Sequence, residues 1–469
     1  MALLYRLAII VSLLCALALP AAAMPRPATA GTQIYLPIVA ASGPASPIGV
    51  DLRWYIDDAV MPYVRAAQPR WVRAGDVLWP DVEPVRGGGY RWDALAYIDA
   101  NVARLRAAGI EPTLVIQRSP AWAQRVPGRL CSPPAPSALG DFERFLTALA
   151  ARYAGQVSYW EIWNEPDFAP ANVADADGTG CWLDASQPAY GGSYYGEVVQ
   201  RAAAALRAGN PHAQVIAGAL MYQWPDDTSA QLFLKGMLGS GAGRSIDALS
   251  FHAYGEWGAG DLLIAKTTRI REILAGYGLA NMPLFATEIA ATCGSNSIAN
   301  CKPNFTVWKT HQANYAARIY AEAIALNLKG AFWYTLTLDN PGFQFSQLID
   351  ISNSTLVPRQ SYYAFANSAQ LLQDARYTGA ALAEPPIDQL GKVQVLPFRK
   401  LNSTLYVLWV PRTDFPVLYN LPVSAGARAV CTDHLDQNPP AIYDCSDANR
   451  DGMIARAVNE LPQYIEIFP

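Results

Sequence analysis

From Ile48 to about Asp374, short apolar runs alternate with longer amphipathic stretches, the pattern of parallel strands joined by helices. The runs Ile48–Trp54, Arg70–Ala74, Glu111–Gln117, Val157–Trp163, Gln214–Leu220, Ile246–His252, Pro283–Thr287 and Ala331–Leu336 predict eight strands. Helical periodicity lies between them at Trp92–Ala108, Leu139–Tyr153, Tyr194–Ala208, Leu262–Tyr277, Gln312–Leu328 and Gln360–Gln373. Several of these helices are followed by a glycine suited to a left-handed cap. Eight strand-helix repeats predict an α/β fold, a closed (β/α)8 TIM barrel over residues 47–375.

After Arg376 the pattern changes to short strands such as Lys392–Leu396, Thr404–Val410 and Gln463–Ile467, separated by Pro, Asn, Asp and Gly. That spacing predicts a small β-sandwich over residues 376–469, with edge strands placed to pack against the barrel. At the other end, Arg6 precedes an apolar segment Leu7–Leu19 and the small-residue site Pro20-Ala21-Ala22-Ala23. This predicts an export signal over residues 1–23, cleaved after about Ala23, and a secreted protein. Residues 24–46 are rich in Ala, Pro, Ser, Thr and Gly and read as a tether, interrupted by the apolar patch Ile34–Val39. Nothing later is long and apolar enough to span a bilayer.

Composition narrows the partners. The chain is 52% hydrophobic and 16% charged, with a formal charge of −4 and no Lys/Arg-rich run, which argues against a nucleic-acid surface. Six cysteines remain once Cys15 leaves with the signal: Cys131, Cys181, Cys293, Cys301, Cys431 and Cys445. An even number in an exported chain points to disulfides, and proximity favours Cys293–Cys301 and Cys431–Cys445, leaving Cys131–Cys181. No CxxC occurs and the four histidines are scattered, so no zinc site is expected. The run Asp447-Ala448-Asn449-Arg450-Asp451-Gly452 matches the opening of a calcium loop, but its twelfth position is Val458 rather than Glu. A tight turn in residues 447–452 is the reading preferred over a calcium site.

Candidate chemistry concentrates at predicted strand ends, where barrels of this type carry their sites. Strand four ends in Trp163-Asn164-Glu165-Pro166, strand six offers His252 and Tyr254, strand seven closes on Glu288, strand eight on Trp333, and strand two contributes Arg73. Two glutamates at two strand ends fit glycosidic bond cleavage, in which one carboxyl protonates the leaving oxygen and the other attacks the anomeric carbon.

These motifs together resemble the clan A glycoside hydrolases over roughly residues 48–374. Trp163-Asn164-Glu165-Pro166 looks like the acid/base motif, Phe251-His252-Ala253-Tyr254 like the strand-six His-x-Tyr, Thr287-Glu288 like the nucleophile strand and Trp333 like the sugar platform. The segment from Trp71-Val72-Arg73 through Glu83-Pro84 to Tyr90-Arg91-Trp92-Asp93 is similar to strand two and its loop in families 5 and 39. Family 5 usually carries a histidine near the end of strand three, whereas this chain has Gln117-Arg118-Ser119-Pro120-Ala121-Trp122. That departure leaves open a family 39-like or divergent relative.

The resemblance implies a retaining β-glycosidase acting on a poly- or oligosaccharide without metal or organic cofactor. Glu165 would serve as acid then base, Glu288 as nucleophile, with Asn164 on the sugar 2-hydroxyl and His252 and Tyr254 beside Glu288. An exo-acting β-xylosidase-like enzyme and a carbohydrate-binding pseudoenzyme are the alternatives. Plainer readings stand beside these: Asn164-Glu165-Pro166 as a helix start, His252 and Tyr254 satisfying each other, Arg73 as a structural partner of Glu161. Of the thirteen tryptophans most are expected in the core. Trp122 and Trp257 are the loop candidates for sugar contact, with Trp79, Trp182 and Trp224 as further ones.

Overall fold

The computed structural model describes residues 46–469 except 53–55, 169–181, 183–185, 257–261, 293–304, 338–345, 383–390 and 412–414. The expected signal and tether therefore lie outside the described residues, as do Trp257, Cys181, Cys293 and Cys301.

Eight parallel strands close into a barrel in sequence order: β1 (Ile48–Asp51), β2 (Trp71–Leu78), β3 (Glu111–Gln117), β4 (Tyr159–Ile162), β5 (Gln214–Leu220), β6 (Ala248–Glu256), β7 (Leu284–Thr292) and β8 (Gly330–Trp333). Around it run α1 (Met61–Ala67), α2 (Trp79–Val82), α3 (Ala96–Ala107), α4 (Leu139–Arg152), α5 (Gly192–Gly209), α6 (Thr228–Gly239), α7 (Leu262–Gly276), α8 (Phe305–Ala325) and α9 (Gln360–Leu371). The (β/α)8 barrel expected from the alternating pattern is present. Between β8 and α9 a hairpin pairs β9 (Ile349–Ser352) with β10 (Thr355–Pro358). Its turn residues Asn353 and Ser354 are both left-handed, with φ of 48° and 59°, which matches the twist of a two-residue hairpin loop.

Inside the barrel the side chains form layers. The lowest is apolar: Trp71, Tyr159, Ile216, Ala248, Phe285 and Phe332 cluster there, with Trp71 meeting Tyr159 and Phe285 edge-on at 4.9 and 5.3 Å. Gly49 on β1 makes room for this floor, because a Cβ there would come 2.0 Å from the Phe332 ring. Two residues further along the strands the layer turns polar, and the functional residues stand on it.

Three bulges shape that upper layer, a device common beside active sites. They are one extra residue each on β2, between Arg73 and Asp76, on β5, between Ala217 and Leu220, and on β7, after Ala286, where the shift shows against both β6 and β8. Strands β2, β6 and β7 run on past their predicted ends. The β7 bulge pairs Phe251 with Ala286 but His252 with Glu288, so the consecutive residues Thr287 and Glu288 both reach buried polar partners inside the barrel. On the other side β4 stops at Ile162, shorter than predicted. Trp163 then takes φ 76° and Glu165 φ 48°.

The C-terminal residues form antiparallel sheets, as expected. A six-stranded sheet has the order β11 (Arg376–Tyr377), β12 (Gln394–Arg399), β13 (Thr404–Trp409), β18 (Gln463–Phe468), β15 (Arg428–Asp433), β16 (Ala441–Asp444). A second pairs β14 (Val417–Pro422) with β17 (Met453–Val458). Leu408, Val410, Leu421, Ala429, Cys431, Ile454, Val458 and Ile465 form the core of these strands. Cys431 and Cys445 form a disulfide, and Cys131 is disulfide-bonded as well.

Candidate active site

Arg73 organises the polar layer. Its side chain is 3% exposed and reaches four neighbours: Nη1 donates to Glu288 Oε1 (2.6 Å) and Asp51 Oδ2 (3.0 Å), Nε to Glu161 Oε2 (2.9 Å) and Nη2 to Asn164 Oδ1 (2.8 Å). One guanidinium thus sits among three carboxylates. Burial works against its charge, but Glu161, Asp51 and Glu288 outweigh that and hold its pKa above the ordinary value. Glu161 is completed by Ser250 Oγ at 2.6 Å and Thr287 Oγ1 at 2.9 Å. It belongs to the support beneath the mouth, paired with Arg73 as its strand position implied.

Glu288 receives a second donor, the Tyr254 hydroxyl, on Oε2. Burial and then Glu288 raise the Tyr254 pKa well above that of a free phenol, keeping it a donor. His252 lies between the two glutamates: Nδ1 is 2.9 Å from Glu165 Oε1 and 3.6 Å from Glu288 Oε2. Burial opposes a charge on the imidazole, yet Glu288 and the hydrogen bond to Glu165 outweigh it and raise the pKa. A carboxylate oxygen of Glu165, one of Glu288 and a His252 nitrogen all lie within 4.8 Å of one another. Among the described residues this is the one set of His, Cys, Asp and Glu groups close enough to share a cation. Its imidazole Nδ1 is already engaged by Glu165.

Neither a family model nor a curated protein sequence matches this chain. Solved structures do. A family 39 glycoside hydrolase from the gut symbiont Bacteroides cellulosilyticus WH2 superposes with a TM-score of 0.66 at 18% identity, covering 90% of this chain and 80% of that one. A glucosidase from Croceicoccus marinus gives 0.60 at 16% identity over 91% and 96% of the two chains. A family 30 endoxylanase from Clostridium papyrosolvens C71 gives 0.58 at 12% over 90% and 96%. The fold is that of the clan A glycoside hydrolases.

Within this fold the residues singled out from sequence divide into three groups. Arg73 on β2, Asn164 and Glu165 just after β4, His252 and Tyr254 on β6 and Glu288 on β7 meet through the bonds above. Trp122 is half-buried in the loop after β3, its Nε1 donating to Glu83 O (3.2 Å) and its ring edge-on to Trp79 at 5.3 Å. Trp79 is fully buried, Trp182 packs against Trp163 at 5.0 Å, and Trp224 is 41% exposed.

Trp333 is a correction. It is fully buried, its indole donates to Ser346 O at 2.9 Å and its ring meets Tyr315 of α8. Phe332 belongs to the inner floor, so alternation along β8 turns Trp333 outward to the helices. Tyr334 is the residue whose ring meets Tyr254, at 6.0 Å. Sequence reasoning missed Tyr334 and Asp51, both inward neighbours of the site. A strict two-residue count from Phe332 would have found Tyr334.

The turn at residues 447–452 also resolves. Asp447 accepts backbone N–H groups of Gly426, Asp451 and Gly452, while Asn449 and Asp451 bond each other and the following chain. These bonds make a turn, with the oxygen atoms used inside it.

Proposed function

We propose that the protein is a secreted retaining glycoside hydrolase that cleaves β-glycosidic bonds of poly- or oligosaccharides by double displacement. The observation that carries the reading is the approach of Glu165 and Glu288, with a carboxylate oxygen of each within 4.8 Å of the other. Retaining hydrolysis uses carboxyl groups about 5–5.5 Å apart, whereas inverting enzymes need about 6.5–9.5 Å to admit water between them.

In the first step Glu165 gives its proton to the glycosidic oxygen while a Glu288 oxygen bonds to the anomeric carbon, and the leaving sugar departs with the proton. In the second, Glu165 takes a proton from water whose oxygen displaces Glu288. The donors on both Glu288 oxygens, from Arg73 and Tyr254, suit an ionised nucleophile and fix its orientation. The unequal surroundings of the two glutamates support the split of roles: the Glu288 side chain is 3% exposed, that of Glu165 15%. Export rests on the leader pattern and fits the Cys431–Cys445 disulfide. The exported chain is expected to begin after about Ala23, which N-terminal sequencing checks.

The purified protein is to be screened against β-linked polysaccharides and aryl glycosides for reducing-end release, with Glu288→Ala and Glu165→Ala alongside. Expected are product from the wild type, none from Glu288→Ala, and residual turnover by Glu165→Ala only on substrates with good leaving groups. The first-formed anomer, read by proton NMR, is expected to keep the substrate configuration; inversion would overturn the retaining assignment. Sugar binding without product from the wild type would favour a carbohydrate-binding protein instead.

A further inference from the structure

A second set of buried groups joins the carboxyl ends of β4, β5 and β6. Lys266 of α7 is 2% exposed, and its ammonium donates to the carbonyls of His252 (2.9 Å) and Met221 (3.1 Å). Asp167, 5% exposed, accepts the N–H groups of Met221 (2.7 Å) and Tyr222 (2.9 Å). The Glu165 N–H donates to Ala219 O at 2.8 Å. Followed in order, these bonds close on themselves: Glu165 leads along the chain to Asp167, Asp167 to Met221, Met221 to Lys266, Lys266 to His252, and His252 back to the Glu165 carboxylate at 2.9 Å.

Two further observations mark this ring as more than packing. Glu165, Ala219 and Tyr222 all have left-handed backbones, with φ of 48°, 47° and 40°. Such conformations persist where surrounding bonds over-determine them, and they cluster at functional sites. The fold also buries two ionisable groups with no salt bridge between them, although burying unpaired charge is unfavourable. Burial pushes Lys266 down to about 8, against the attraction of Asp167, Glu165 and Asp227, and pushes Asp167 up to about 6. Apolar side chains would fill these positions at less cost if filling were their task.

We propose that Lys266 and Asp167 are positioning residues for Glu165, the hydrogen-bond ring through Met221 and His252 fixing where its carboxyl group meets the glycosidic oxygen. The inference rests on the glycosidase reading of Glu165.

The test uses the full chain with Lys266→Met, Lys266→Arg and Asp167→Asn. Asn is chosen because Asp167 lines a cavity of about 90 Å³ that truncation would enlarge. On the glycosides that the wild type cleaves, kcat/KM for alkyl leaving groups is expected to fall about tenfold more than for nitrophenyl ones in Lys266→Met and Asp167→Asn, because only poor leaving groups need the proton. Lys266→Arg is expected to recover part of the loss. Equal losses for both leaving groups, or none, overturn the proposal.

A second measurement needs no turnover. The titration of the His252 imidazole, followed by NMR and assigned with His252→Gln, is expected to shift its midpoint in Lys266→Met and not in the control Lys392→Met. An unmoved midpoint overturns the ring. A moved midpoint in a protein silent on every glycoside supports the ring and counts against the glycosidase.

Discussion

Arg73 carries the heaviest electrostatic load of any residue at the mouth, since its one charge compensates Asp51, Glu161 and Glu288 at once. Removing one partner from a buried ionic network costs about 3–5 kcal/mol, because the remaining charges stay desolvated and uncompensated. Arg73→Met is therefore expected to lose about that much stability, read by chemical denaturation, along with turnover; a loss under about 1 kcal/mol would show that the layer compensates itself. Lys266 obeys the opposite sign. Its folded pKa, lowered from 10.5 to about 8, means that the ammonium is a burden at neutral pH. The shift corresponds to about 3 kcal/mol, relieved as pH rises through about 8 toward 10.5. Lys266→Met removes that burden but strands the carbonyls of Met221 and His252 at about 1–3 kcal/mol each. The two nearly cancel, so its melting temperature is expected near that of the wild type. His252 runs the other way again: its raised pKa gives stability that is full below about 6.5 and fades as pH rises through the folded value. The melting-temperature gap between wild type and His252→Gln is expected to narrow with rising pH.

Strands and turns explain which of these residues sequence could find. Glu165, Glu288, His252 and Tyr254 were legible because each interrupts or closes an apolar run, where a carboxylate or imidazole has few structural reasons to stand. Trp333 was not, because Phe332-Trp333-Tyr334 puts aromatic side chains on both faces of β8 and hydrophobicity alone carries no parity. The bulges were equally hidden. That β6 pairs His252 with Glu288 follows from one extra residue in β7, and no composition signal marks Thr287 as the extra one. Lys266 carries no such mark: it falls inside the helical stretch Leu262–Tyr277, and its burial is decided by partners far away in sequence. At the turn the Asp447 carboxylate accepts three backbone N–H groups, bonds that hold the turn without a metal. Added calcium is expected to leave the melting temperature unchanged, whereas Asp447→Ala lowers it. A rise with calcium would return the segment to the metal-loop reading.

At the scale of the whole molecule the barrel and the C-terminal sheets share a core. Leu396, Phe398, Leu405, Val407, Trp409, Leu435 and Tyr464 belong to the same buried cluster as the barrel strands and helices. Directed bonds reinforce the contact: Tyr464 Oη donates to Ala317 O of α8 at 2.7 Å, and Asn367 Nδ2 of α9 donates to Leu435 O and Gln437 O. Residues 44–469 accordingly form one compact unit, so the change of texture near Arg376 marks a change of secondary structure within that unit. Helices α8 and α9 lie between β7 and the C-terminal sheets in sequence, and they flank β8, which closes the barrel against β1. Uncovering them would expose apolar surface next to the closure itself. Calorimetry of the full chain is expected to give a single cooperative transition, and a chain ending at residue 375 is expected to be insoluble or molten. Removing one bridge by Cys431→Ala with Cys445→Ala offers a milder probe, because the Cys431–Cys445 bridge spans a sequence separation of 14 and loops of that size are worth about 3 kcal/mol. If the two parts share one core, losing that bridge lowers the single transition that also reports barrel unfolding. Two resolved transitions, with only the first moved in the double variant, would mean that the barrel stands without its sheets.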